Sequence, residues 1–544
     1  MKTVKTALYL VVACLFLAIG CKSQEGSISR FKTSSSTSKK TSSALRINIT
    51  AEPSTLDPRK ARSLNDVNLA KMLMEGLVRM NYDSKPALAL ADSYTVSEDQ
   101  KTYTFLLRES NWSNGDAVTA HDFVYSWKKV VSPSFLSDNA SFLYVIKNAQ
   151  AIREGKLPSS FLGVEAANEK TLVIHLEKPI PYFLELLTSP VFFPVHAKVD
   201  KENPDWATDA ATFVSSGPFT LQEWKHADGM VAIKHEGYWD AQNVKIQQIN
   251  MAMVSPETGF NMYQNSELDW EGSPFSNIPL DAMEALKNQG KLHTQNFLTT
   301  FFIRTNTSKA PFNSINFRKA CALAMNRRDL IEHVLGDSSL YASGLVPTSL
   351  GLRANEYFED GNIEKAKEFL ALAIKKKEIS EKDLSHITLS FYSNEKNYRT
   401  CQAIQQQWRE ALGLEVQLEA VEPKIYFSRI SKQDFQLALG SWVADFRDPI
   451  NFLEVFRTKE IGTNNTQWEN HEYLSKLEQS YLAPSEEERK LLLQECEKIL
   501  IDEMPIIPIW HGNLHYVRNE RLKNVVVSDM GSIDFKWAFM DKEL

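Results

Sequence analysis

The sequence predicts an α/β protein of more than one domain, on three observations. Ile387, Leu389 and Phe391 alternate as a strand, Tyr398 to Leu412 follows at helical spacing, and Leu414, Val416, Leu418 and Ala420 alternate again. Strand, helix and strand in succession is the pattern of a crossover unit. At 544 residues the chain is too long for one hydrophobic core, and roughly two or three domains are expected. Its 43% hydrophobic and 24% charged residues are the proportions of an ordinary globular protein.

The N-terminus reads as an export signal over residues 1–21. Lys2 and Lys5 precede an uncharged apolar run from Ala7 to Ile19, too short for a membrane span and ending in small residues. Leu17-Ala18-Ile19-Gly20-Cys21 resembles a lipobox, which would make Cys21 the lipidated residue, with Ala18 standing where Leu is usual. Residues 22–44 are rich in Ser, Thr and Lys and lack the apolar content to offset chain entropy, so they read as a solvated tether.

The body starts at Leu45. Leu45, Ile47 and Ile49 alternate as a strand, and Pro53 and Pro58 bracket a loop. The spacing of Val67, Ala70, Met74 and Leu77 predicts a helix over Asp66 to Leu77. Tyr103 to Leu107 reads as a strand and Asn114-Gly115 as a turn. Thr119, followed three residues later by Asp122, looks like a capping box opening a helix that turns Phe123, Val124, Trp127 and Val130 inward. Gly413 is a plausible stop for the helix ending at Leu412. Pro484 to Leu500 reads as a helix burying Leu492, Cys496 and Leu500.

Phe435, Leu437 and Leu439 alternate as a buried strand that runs into Gly440-Ser441-Trp442-Val443-Ala444-Asp445, closed by Arg447-Asp448-Pro449. Ligands of α/β sheets collect just beyond the carboxyl ends of strands. A single acid beside Trp at such a place suits a cationic group with an apolar neighbour. The local sequence alone also fits an ordinary strand exit with Asp445 as a turn residue.

Other chemistry finds little footing. A formal net charge of −7 and a pI near 6.0 give no footprint for nucleic acid. There is no GxSxG elbow, P-loop or HExxH helix, so no catalytic residue, cofactor or metal site is assigned. His511 and His515 have metal-like spacing, but Gly512 and Asn513 argue for a strand or turn with ordinary histidines. His226 and His235 flank a turn at Asp228-Gly229 and read as surface hairpin residues. Asp445 and Asp448 could be imagined as a glycosidase pair, but Arg447 and Pro449 make the loop look like a binding loop. Cys321, Cys401 and Cys496 read as buried single thiols, with one disulfide among them left open.

Trp112-Ser113-Asn114-Gly115-Asp116 through Asp122-Phe123-Val124-Tyr125-Ser126-Trp127 resembles the signature of the family 5 solute-binding proteins, the receptors of ABC importers, in their oligopeptide-binding branch. Ala91-Asp92-Ser93-Tyr94, Phe105 to Arg108, Pro179 to Phe183, Gly217-Pro218-Phe219, Gly237-Tyr238-Trp239, Pro311-Phe312 with Arg318-Lys319-Ala320, Trp442 to Asp445 and Pro505 to Pro508 match the same family in order. The resemblance covers nearly the whole body. It implies a type II periplasmic-binding-protein fold, with two hinged lobes and a smaller inserted domain. Carried over, lobe I takes residues 45–74, 199–297 and 513–544, the inserted domain 75–198, and lobe II 298–512.

The resemblance also implies a site. Asp445 would pair with the α-ammonium of a peptide, Trp442 would pack on the ligand, and the main chain of Ser441 and Val443 would pair with an extended peptide. Arg62, Ser63 and Leu64 would form the facing edge. The family pattern usually has Glu where this chain has Arg62, Tyr at Asn139, an acid at Arg304 and an arginine at Leu439; Arg429 matches another family arginine. Arginines in place of acids favour a more anionic ligand. The expected function is a lipid-anchored, extracytoplasmic, monomeric receptor that delivers oligopeptides to a membrane permease. Murein-derived peptides, dipeptides or a metal chelate are alternative cargoes on the same fold. A lipoprotein adhesin or sensor, or a surface hydrolase, are the readings from other classes.

Overall fold

A computed structural model describes residues 44–541 apart from 338, 353, 354 and 461. The export signal, Cys21 and the tether lie outside the described residues, save Ala44, which opens the first strand. Among the described residues no helix is long and apolar enough to cross a membrane.

The largest sheet among these residues has eleven strands drawn from distant parts of the chain. From one edge to the other run Val416–Val421, Ile387–Tyr392, Leu437–Val443, His293–Thr305, Ile506–Arg518, Trp270–Gly272, Ala44–Asn48, Gln248–Ala252, Gly229–Lys234 and Phe219–Lys225; Leu340–Tyr341 joins Ile506–Arg518 off this path. Ala44–Asn48 lies parallel to both neighbours, so the start of the body is fixed only when residues some 200 positions later arrive. The two 13-residue strands, His293–Thr305 and Ile506–Arg518, pair antiparallel through the middle. A separate four-stranded antiparallel sheet uses Ala91–Val96, Thr102–Leu107, Thr171–His175 and Val164–Ala166.

The crossover unit is present, but its helix starts at Glu395, before the expected Tyr398, and its second strand at Val416, after the expected Leu414. Ile387–Tyr392 and Val416–Val421 pair in parallel from Ile387↔Val416 to Tyr392↔Val421, joined by the helix Glu395–Leu412. Cys401, Ile404 and Trp408 are its buried face, and the Trp408 indole donates to the Cys321 carbonyl at 2.8 Å. Gly413 takes the left-handed conformation that stops the helix, at φ 69°. The capping box is present at Ala120–Val130, where the Thr119 N–H donates to Asp122 Oδ2 at 2.9 Å. Phe123, Trp127 and Val130 are buried there, while Val124 is only half-buried.

Three expectations are corrected. The helix placed at Asp66 to Leu77 runs Leu64–Leu73, because the Ser63 side chain caps it by accepting from the Asp66 N–H at 3.1 Å. It ends where Gly217 crosses: a Cβ on that glycine would lie 2.7 Å from the Leu73 carbonyl carbon. Leu69, Ala70, Met72 and Leu73 are its buried apolar residues, with Val67 only half-buried. The helix expected from Pro484 runs Glu486–Glu503 behind a Ser485 cap, and buries Leu493 where Leu492 was expected. His235 is buried, its Nδ1 3.1 Å from the Gly217 carbonyl, while His226 stays on the surface against Glu52. His511 and His515 both fall in the strand Ile506–Arg518. Cys321, Cys401 and Cys496 are buried and free.

Candidate functional site

The strand Leu437–Val443 carries the site. One edge pairs with His293–Thr305 along its whole length, from Leu437↔Thr305 to Val443↔Thr299. On the other edge Ile387–Tyr392 pairs only with Leu437 and Ala438. Successive strand residues present their backbone groups to opposite edges. The Trp442 carbonyl accepts from the Thr299 hydroxyl at 2.9 Å and the Ala444 N–H donates to the Leu298 carbonyl at 2.8 Å, so these residues face the paired side. Leu439, Ser441 and Val443 therefore face the other edge. The Leu439 carbonyl is taken by the Tyr426 hydroxyl, from the helix Pro423–Ser431. Beyond it, the edge at Ser441 and Val443 has no strand beside it among the described residues.

Asp445 follows two residues after this edge. Its N–H donates to Asn451 Oδ1 at 3.1 Å, and the same oxygen accepts the Trp442 indole at 2.9 Å, so one side chain fixes both sequence-predicted residues. The residue is exposed although protein atoms crowd around it. That crowding pushes its carboxyl up to about 6, against a hydrogen bond with Asn451 and the charge of Arg62. Asp448, in contrast, is committed: Arg489 holds both its oxygens, at 2.7 and 2.9 Å, and it accepts from the Ile450 N–H.

The facing segment is built on a buried ion cluster. Arg59 is 1% exposed and binds Asp57 and Asp200, and Asp200 also accepts from Tyr125 and Trp206. A paired guanidinium of this kind fixes the backbone around it. Ser137 Oγ donates to the Arg59 carbonyl at 2.6 Å and Asn139 Nδ2 to the Ala61 carbonyl at 2.7 Å. Arg62, Ser63, Leu64 and Asn139 are thus brought together. Arg62 reaches outward, its side chain 70% exposed beside Asp138. Its charge is felt at Asp445, so the two segments lie near one another.

Arg304 lies over Gly440: a Cβ there would be 1.6 Å from Arg304 Nη1. Its Nη2 is 3.4 Å from the Ser441 carbonyl, and its guanidinium carbon is 4.8 Å from the Phe302 ring centre. Arg429 is engaged elsewhere, with Glu419 at 2.8 Å and Asp434 at 3.6 Å. Beside Asp445, Phe446 stacks on Tyr182 at 4.4 Å and 6°, and Arg447 pairs with Asp529 at 3.0 Å. Tyr426, Asn451 and the role of Gly440 escaped the sequence reading. The only sequence signal was an aromatic on the helix between the two strands, and that cannot tell which carbonyl its hydroxyl will reach.

Among the described residues no three or more His, Cys, Asp or Glu side chains gather in a way that could hold a metal ion. The arrangement offers an exposed acidic side chain, a short strand edge with no strand beside it among the described residues, and an arginine against that edge. The sequence profile of the bacterial extracellular solute-binding proteins, family 5 (middle region), matches residues 85–464. The oligopeptide-binding protein OppA of Bacillus subtilis is 36% identical over 502 residues, covering 91% of this chain and 92% of that protein. The dipeptide-binding protein DppE of the same organism is 34% identical over 545 residues, covering 97% of each. The crystal structure of Haemophilus influenzae OppA in complex with the peptide RPPGFSPFR superposes with a TM-score of 0.77 at 27% identity, over 92% of this chain and 99% of that one.

Proposed function

We propose, for a chain that belongs to the bacterial extracellular solute-binding proteins of family 5, the role of peptide receptor in an ABC peptide import system. Its fold is that of the type II periplasmic binding proteins. One observation carries the reading: a two-residue edge at Ser441 and Val443, with no strand beside it among the described residues, leads directly to a carboxylate that no cation of those residues pairs with. An extended peptide supplies what both lack. Its backbone adds to the edge as a strand would, reading direction without reading side chains. Its α-ammonium meets Asp445, Trp442 packs beside it, and Arg62, Ser63, Leu64 and Asn139 line the opposite wall.

Capture needs no bond to break. As the lobes close, water leaves the groove and the ion pair strengthens, so the ligand shifts the balance toward the closed form by its differential affinity. Lobe I is assigned residues 45–74, 199–297 and 513–544, the inserted domain 75–198 and lobe II 298–512. The receptor is assigned to the extracytoplasmic face, lipid-anchored through Cys21 and acting as a monomer on a membrane permease.

The test is Asp445→Asn. Calorimetry should show binding of peptides with a free N-terminus weakened by about tenfold or more, the scale of a charge-assisted pair. N-acetylated peptides should lose little. Equal losses for both would remove Asp445 as the anchor.

A further inference from the structure

A recess that none of the groove residues line sits where the helix Leu64–Leu73, the strand Val78–Met80 and the C-terminal segment meet. It has about 430 Å³ of empty space, of which only about 30 Å³ can take the centre of a water-sized body. That is room for a monatomic ion or about two waters. Val78, Met80, Phe193 and Val526 give it apolar walls, and Lys71 lines it beside them.

The acceptors on its wall are already engaged. Glu75 accepts from Arg79 Nε at 2.6 Å and from the Trp239 indole at 2.7 Å. Asp534 takes Arg79 Nη1 and the Lys536 N–H. The Thr188 hydroxyl donates to the Glu185 carbonyl at 2.7 Å. Lys71 makes one hydrogen bond, to Ser532 Oγ at 2.7 Å, and Asp534 acts on it only through space. Ser528 Oγ accepts from the N–H groups of Met530 and Ser532 at 3.3 and 3.2 Å. What stays unused among the described residues is the rest of the Lys71 ammonium and the hydroxyl hydrogens of Ser528 and Ser532.

All of these are donors. A water could receive them on its oxygen, but its own hydrogens would be left against apolar walls. An anion accepts and donates nothing. The charge points the same way. Lys71 is half-buried, yet crowding and then the Arg79 charge pull its ammonium from 10.5 to about 8, with Asp534 opposing.

We propose that this recess binds a small monovalent anion of halide size, held by Lys71 with the hydroxyls of Ser528 and Ser532. Asn68 ties the same turn to the helix, donating to the Gly531 carbonyl at 2.9 Å and accepting from the Ile533 N–H at 2.8 Å. The ion adds a second tie, to a turn whose Asp529 holds Arg447 beside Asp445. The site stands whatever ligand the groove takes.

Bromide is the probe, with no peptide present. Crystals grown in sodium bromide should show an anomalous peak in contact with Lys71 Nζ. In solution at pH 7 and constant ionic strength, bromide in place of gluconate, which is too large for the recess, should raise the melting temperature by about 1–3 °C. Lys71→Met should lose both the peak and the rise. Ser528→Ala keeps the charge and removes one hydroxyl; it should weaken the peak and shrink the rise, and it carries the comparison if Lys71→Met does not fold. No peak in the wild-type protein, a peak undiminished in both variants, or a rise equal in all three proteins overturns the inference. A peak with no rise in solution marks an adventitious ion only and overturns it as well.

Discussion

Acid should loosen the grip on a free-ammonium peptide through Asp445. In the empty protein crowding pushes its carboxyl from an ordinary 3.8 to about 6. An ammonium held against it favours the ionised form, so its value falls again in the complex. Only the ionised carboxylate makes the pair, and its population drops as pH falls through about 6. At pH 5 roughly one molecule in eleven is ionised, so apparent affinity should be about tenfold lower than at pH 7, about 1.4 kcal/mol. Water contact at the carboxyl makes that figure a ceiling. The window stops at pH 7 because a peptide amine itself begins to lose its proton near about 7.7. The assay is titration calorimetry at pH 5, 6 and 7 with one peptide in free and N-acetylated forms. The acetylated peptide, and Asp445→Asn with either peptide, should show no comparable slope. A wild-type curve that is flat between pH 5 and 7, or a slope that survives in Asp445→Asn, would refute the reasoning.

Two predictions concern the scaffold. Glu271 is fully buried, Oε2 lacks a hydrogen-bond partner among the described residues, and burial pushes its carboxyl from 4.5 to about 7. The unfolded chain ionises first, so this group costs stability progressively between about pH 4.5 and 7, reaching about 3 kcal/mol. Glu271→Gln should therefore melt higher than wild type at pH 8 and nearly with it at pH 4.5; an identical gain at both pH values would show that ionisation is not the cause. Arg59→Ala leaves Asp57 and Asp200 buried without their cation and should lower stability by about 3–5 kcal/mol in urea denaturation. A loss under about 1 kcal/mol would mean that the cluster does not hold the Arg59–Ser63 turn.

How much was legible follows from how local each signal is. The capping box at Thr119 and Asp122 is complete within four residues, and the alternation of Ile387, Leu389 and Phe391 is complete within five. Both were readable, as was Asp445 at a strand exit. The helix start was missed because Ser63 was read only as a binding residue, although its hydroxyl is the better cap. Burial of His235 depends on Gly217 and its neighbours folding over it, which no spacing rule reports. The open edge was hardest. It exists because the ladder from Ile387–Tyr392 stops at Ala438, a fact about two strands some 45 residues apart. Nothing local to Gly440 says that its missing Cβ is the room that Arg304, from another strand, occupies.

The Tyr426 hydroxyl on the Leu439 carbonyl has a further effect. Exposed sheet margins invite other chains to stack on and polymerise, and proteins keep such margins short or blocked. Here the blockade stops just short of Ser441, leaving an open margin of only two residues, too short to seed a fibre. A receptor that must stay open to strangers can thus remain safe from its own kind.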